Sequence, residues 1–216
     1  MQLEKHNTLK IIDLENWNRK EHFDLFSSLD NPYFGIVAQV KCTGVYQYAK
    51  QNNRSFFASY FHRSICAANE VEAFRLRIKH GQVVLYDTID AGLTIAREDE
   101  TFGFGLVKFD PNFAVFSQRL EEEIASAKAC SGLHIRNEDI DINLIRHSTL
   151  PWAHFTGILH PCNYNGEDSM PRITFGKRFE KDGEHYMSVN VEGHHGLMDG
   201  LHLCKYLEIL EKKWAE

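Results

Sequence analysis

The stretch Tyr186-Met187-Ser188-Val189-Asn190-Val191-Glu192-Gly193-His194-His195-Gly196-Leu197-Met198-Asp199-Gly200 decides how this chain is read. Its first half sets apolar Met187, Val189 and Val191 against polar Ser188, Asn190 and Glu192, the period-two alternation of a strand. Beyond Gly200, Leu203, Leu207, Leu210 and Trp214 recur at spacings of four, three and four, which is the period of a helix. The sequence HHGLMDG between them is therefore a strand-to-helix turn, where the backbone is firmly held and a side chain can face a cleft. Histidine is the side chain best placed to take a proton near neutral pH, which makes His195 a candidate general base. The same seven residues also suit a plain turn, with Asp199 as an N-cap, Gly200 as a turn residue and both histidines in a solvated loop.

Working outward, 216 residues suffice for one domain with a sizeable core, and 43% apolar with 12% aromatic residues is ordinary for a globular protein. A net charge of −6 argues against a general nucleic-acid binder. No run of 18 apolar residues is present, so no membrane span is expected, and the charged start MQLEKHNTLKIIDLENW lacks the apolar core of a signal peptide. Five cysteines without CxxC spacing fit reduced thiols, hence a cytoplasmic setting. Twelve scattered histidines form no HExxH-type set, and no metal is expected.

No repeat or linker divides residues 1–216, which read as a single domain. Strands are expected at Phe34–Val40, Phe74–Lys79, Val83–Tyr86, Gly92–Ala96 and Phe102–Phe109, and from Ile140 onward. A hairpin runs from Ile173–Phe179 through an Asp182-Gly183 turn to Tyr186–Glu192. Helical contacts are expected between Asn16 and Phe26, in a short helix capped by Thr43, over Ser55–Ala73, and after Asp110-Pro111. That last helix carries Glu121, Glu122 and Glu123 on a face expected to be solvated, and Cys204 on the final helix is expected in the core. The pattern is α+β, with a mixed, largely antiparallel sheet flanked by helices. Regular βαβ alternation, GxGxxG and GxxxxGK[ST] are all missing, which speaks against Rossmann and P-loop nucleotide sites.

Three further patches gain meaning if His195 is a base. Arg19, in Trp17-Asn18-Arg19-Lys20-Glu21-His22-Phe23, has the planar fork to pair with Asp199, which if buried would need a cation. Ser148 stands just before the rigid Pro151-Trp152 corner, and Thr174 lies on the strand antiparallel to the one leading to His195. Such hydroxyls are what an acyl-transfer site needs to steady an oxyanion without adding charge.

Together these motifs resemble the trimeric chloramphenicol acetyltransferases. The likeness covers nearly the whole chain, through WNRKEHF at Trp17–Phe23, FRLRI at Phe74–Ile78, ETF at Glu100–Phe102, S-x-L-PW at Ser148–Trp152, ITFGK at Ile173–Lys177 and HHxxxDG at His194–Gly200. HHxxxDG is shared with the catalytic domains of dihydrolipoyl acyltransferases, but no lipoyl domain or linker is seen. The resemblance implies the CoA-dependent acyltransferase fold, a homotrimer with sites between subunits, and acetyl-CoA as co-substrate with no permanently bound cofactor. It implies His195 as general base, Ser148 as oxyanion donor, Thr174 as its support, and Asp199 with Arg19 as structural props of the turn. Phe26, Ile158 and His160 would meet the acceptor, chloramphenicol, and Lys177 and Phe57 would meet CoA. The family's HHAVCDG is here HHGLMDG, placing Met198 where a smaller cysteine is usual, and its Phe-x-Leu is here Ile158-Leu159-His160. An imidazole left unpaired in an apolar wall would cost about a kcal/mol or more, so these departures point at the acceptor rather than the chemistry. Two alternatives stand beside this reading: the same transfer to another hydroxyl or amine, and a catalytically idle ligand-binding trimer.

Overall fold

The computed structural model of the chain describes residues 8–135, 143–161 and 168–216. The expected strand start at Ile140 lies outside these. The backbone of the architecture is a mixed sheet of six strands in line, with a seventh at its margin. In spatial order these are β2 (Tyr33–Lys41), β10 (Glu184–His194), β8 (Arg172–Gly176), β7 (Leu144–Leu150), β5 (Asp90–Ala96) and β6 (Phe102–Val107). The short β9 (Phe179–Lys181) pairs only with the start of β10, across the Asp182-Gly183 turn. Both residues of that turn have positive φ, which glycine adopts without strain. β7 runs parallel to β5 and to β8, and the other pairings are antiparallel. A small sheet holds β1 (Leu9–Ile11), β4 (Gln82–Tyr86) and β3 (Leu76–Lys79), with β4 in the centre.

Among the described residues five α-helices accompany the sheets: α1 (Lys20–Ser27), α2 (Thr43–Gln51), α3 (Phe56–Glu70), α4 (Phe113–Ala129) and α5 (Gly200–Ala215). α5 packs on α3, α2 and β2 through Leu203, Tyr206, Leu210 and Trp214, all of them solvent-free. Trp214 lies beside Tyr60 of α3 and Phe175 of β8, so the last helix is bolted onto the centre of the sheet. α3 starts where Ser55 caps it, its hydroxyl accepting from the Ala58 N–H. Among the described residues no helix is long and apolar enough to cross a membrane.

Several local expectations are corrected. Thr43 caps nothing: its hydroxyl donates to Glu184 and accepts from the His185 N–H, tying α2 to β10 instead. The alternation around Phe74–Lys79 does not separate inside from outside, because Arg77 is fully buried and donates to the carbonyls of Phe74, Leu76 and Leu144. Burial pulls its guanidinium down to about 10. Glu123 is not on a solvated face; it is buried and accepts from the Leu106 N–H of β6, answering a backbone donor on that strand. Cys204 is exposed, not in the core. Trp17 precedes α1 and packs against Phe23 from outside the helix.

Candidate active site

His195 follows directly on β10, where the chain turns into α5. Its backbone N–H donates to Pro32 O at 2.8 Å. Nδ1 of its ring lies 3.2 Å from the Met198 carbonyl. A carbonyl can only accept, so Nδ1 carries a proton, and in the neutral ring Nε2 keeps its lone pair. The imidazole is clamped between Phe26 of α1 (ring centroids 3.8 Å apart, 5° between planes) and Phe34 of β2 (4.3 Å, 29°). Phe26 thus meets the proposed base itself, while Phe34 was not singled out from the sequence.

The turn is held from outside by Arg19, whose Nη1 donates to Asp199 Oδ2 at 2.7 Å and whose Nη2 donates to the His195 carbonyl at 3.2 Å. Asp199 also caps α5, its side chain accepting from the Leu201 N–H and its own N–H donating to His202 Nδ1. Burial works to raise the Asp199 carboxyl, but the hydrogen bond and charge of Arg19, with His202 beside it, outweigh burial and bring the pKa down to about 2. Met198 is solvent-free and lies against Gly193; a Cβ at Gly193 would come within 2.1 Å of its sulfur. His194 is buried beside the base, pushed down to about 4 by burial, and accepts the Gly196 N–H on Nδ1.

Ser148 and Thr174 stand elsewhere. They are paired neighbours on the parallel strands β7 and β8, and both line a cavity of about 530 Å³. Ser148 Oγ is 3.0 Å from Thr94 Oγ1 of β5. The apolar wall includes Phe102 and Phe104 of β6, Leu144 and Met170, and the polar residues Arg146, His147, Arg172 and His160 also border it. His147 is buried, and that burial holds it down to about 4, hence neutral near pH 7. His195 does not line this cavity. Thr174 is opposite Asn190 in β10, five residues before His195, which at ~3.3 Å per residue places the base about 16 Å further along the sheet.

His160 is not the unpaired imidazole that its sequence context threatened. Nδ1 is 2.8 Å from Glu192 Oε1 and Nε2 is 2.9 Å from Thr174 Oγ1. Glu192 also accepts from Asn190 Nδ2 and faces Arg172 Nη1 at 3.7 Å. Burial works to raise its carboxyl, yet these partners, His160 first, hold it below the usual range. Arg172 in turn pairs with Asp168 at 2.6 Å and lies over the Tyr33 ring. The other nominated residues are placed apart from both centres. Ile158 is half-buried but does not border the cavity, Lys177 is exposed at the end of β8, and Phe57 stacks on Phe61 in α3 against the core. Thr94, Glu192 and Arg172 were missed; the strand alternation that puts Asn190, Glu192 and His194 on one face hinted at Glu192 alone.

This arrangement can be compared with known proteins. The family model described as chloramphenicol acetyltransferase matches residues 7–211. The chain belongs to the chloramphenicol acetyltransferase family. A member from Proteus mirabilis is 27% identical over 204 residues, covering 94% of this chain and 93% of that protein, and one from Campylobacter coli is 24% identical over 202 residues, covering 93% and 95%. A solved structure named chloramphenicol acetyltransferase superimposes with a TM-score of 0.89 at 33% identity, covering 95% of this chain and 99% of that one. A probable dihydrolipoamide acetyltransferase from Listeria monocytogenes shares the fold at a TM-score of 0.66 and 13% identity, covering 90% and 88%. Membership in this family makes the chain an acyltransferase, and the α+β sheet with its flanking helices is the CoA-dependent acyltransferase fold expected from the sequence.

Proposed function

We propose that this protein moves an acetyl group from acetyl-CoA to a hydroxyl of chloramphenicol, and that a homotrimer of this one-domain chain, placed in the cytoplasm, is the working form. The observation that carries the reading is the fixed ring of His195: one nitrogen tied to Met198 O, two faces covered by Phe26 and Phe34, and one lone pair left free at Nε2. That lone pair takes the proton of the acceptor hydroxyl as its oxygen attacks the thioester carbonyl. Ser148 donates to the resulting oxyanion, and Thr174 supports that charge through a water. Collapse breaks the C–S bond, the thiolate leaves with the proton from His195, and no acyl-enzyme forms. Asp199 and Arg19 hold the turn that aims the ring.

The separation of His195 from Ser148 and Thr174 supports sites shared between copies. A base about 16 Å along the strand from the cavity's hydroxyls cannot serve them within one chain, whereas a neighbouring copy's His195 can. Transfer to another hydroxyl or amine drew its motive from His160 and Met198, and the pairing of both His160 nitrogens removes the desolvation cost behind the first of these. The test is thiol release from acetyl-CoA with and without chloramphenicol, beside His195→Ala. Drug-dependent release that the variant loses by several orders of magnitude supports the reading; release that survives at a tenth of wild type sinks the general base. Release that ignores the drug sinks the acceptor.

A further inference from the structure

We propose that Glu192 and His160 are positioning residues that act through Thr174, drawing its hydroxyl proton out of the cavity so that Thr174 faces the acceptor with lone pairs only. The kinetic side of this proposal rests on the acyl-transfer reading above; the hydrogen-bond direction does not.

The direction follows from counting protons. Glu192 accepts from Asn190 Nδ2 at 3.0 Å, faces the Arg172 guanidinium at 3.7 Å and is held in its ionised form, so it can only accept. The proton in its 2.8 Å contact with His160 therefore sits on Nδ1. A neutral ring protonated at Nδ1 has a lone pair at Nε2, and the partner there is the Thr174 hydroxyl at 2.9 Å. Thr174 must donate. Its proton is spent on His160, and its oxygen is left to the cavity as an acceptor.

The backbone makes room for this arrangement. Gly35 of β2 lies opposite Glu192 in the register, and a Cβ there would come within 2.5 Å of Glu192 Cγ. The absent side chain is what lets the carboxylate lie down beside β10 and reach His160. On the other side of the cavity the Thr94–Ser148 pair can run the opposite way, Thr94 donating to Ser148 and leaving the Ser148 proton free. The two hydroxyls on paired strands then divide the work: Ser148 gives a hydrogen bond and Thr174 takes one. The group that meets Thr174 must be a donor. This selects an alcohol acceptor carrying a second O–H or N–H near its reacting hydroxyl, or a water that spends one proton on Thr174 and the other on the oxyanion.

The experiment is a double-mutant cycle of His160→Leu and Thr174→Val on the assembled enzyme at about pH 8, reading kcat and KM for the acceptor. If His160 works through Thr174, each single variant loses about tenfold in kcat/KM and the pair loses about tenfold as well, not about a hundredfold. Glu192→Gln, whose amide oxygen still accepts from Nδ1, stays within about threefold of wild type, while Glu192→Leu falls with His160→Leu. Additive losses would mean that His160 touches the acceptor directly, and would overturn the relay. Nitrogen-15 NMR of the histidine-labelled wild type reads the direction without any turnover. The proposal expects the proton on Nδ1, with an Nε2 signal that moves in Thr174→Val; a proton on Nε2 overturns it. This tautomer in a protein that transfers no acetyl group would support the relay while overturning the acyl-transfer reading.

Discussion

Replacing Asp199 separates two jobs that one carboxylate performs. As an N-cap it accepts the Leu201 N–H, which asparagine does about as well and alanine cannot do, a difference of about 1 kcal/mol. As an ion-pair partner it meets Arg19 at 2.7 Å, where the arginine side chain is 13% exposed and the aspartate 34%. Lowering its pKa from 3.8 to about 2 corresponds to about 2.4 kcal/mol before solvent screening, and a carboxylate one third exposed keeps roughly half of that. Asp199→Asn should therefore cost about 1 kcal/mol and Asp199→Ala about 2 kcal/mol, measured by urea unfolding at one fixed protomer concentration. The same loss frees the Arg19 grip on the His195 carbonyl, so kcat in Asp199→Asn should fall roughly 10- to 100-fold with KM for acetyl-CoA nearly unchanged. An asparagine variant with wild-type kcat would refute the account of the turn. An alanine variant no less stable than the asparagine one would refute the cap.

Other consequences are simpler to state. Ser148→Ala should lose about 10²–10³ in kcat with little change in KM, and a pure KM effect in steady-state kinetics would move Ser148 from the oxyanion to substrate binding. Gly193→Ala should destabilise by about 1–3 kcal/mol, because its Cβ meets the buried Met198 thioether, and adding Met198→Ala should restore part of that loss in thermal unfolding. His147 and His194 are held down to about 4 by burial, against 6.5 in the free side chain, so the unfolded chain binds more protons between those values. The stability they contribute is fully present above about pH 6.5 and is lost as pH falls through about 4. A urea-midpoint series that stayed flat from pH 7 to about 4 would contradict this.

The strand-turn-helix around His195 was legible because both periodicities are strong and local, and the turn between them is short. The Arg19–Asp199 pairing was also within reach, since a carboxylate held in a tight turn asks for a cation. The cavity was harder. Thr94, Ser148, Thr174 and His160 come from four separate segments, and no spacing rule links them before β5, β7 and β8 are laid side by side. Glu192 and His160 are 32 residues apart, and their meeting depends on a glycine in the neighbouring strand β2. Arg77 defeated the alternation rule, and Glu123 the reading of a solvated helix face, for another reason. Each is buried to satisfy backbone groups that the sequence does not show to be unpaired.

The central claim is that His195 of one copy serves the hydroxyls of another, and subunit complementation tests it most directly. Co-refolded equal amounts of His195→Ala and Ser148→Ala chains place an intact base opposite an intact Ser148 in about a quarter of shared sites. The account predicts about a quarter of wild-type acetyl transfer to chloramphenicol from the mixture. Activity no greater than that of the two parents would contradict it, and would put both residues to work within a single chain.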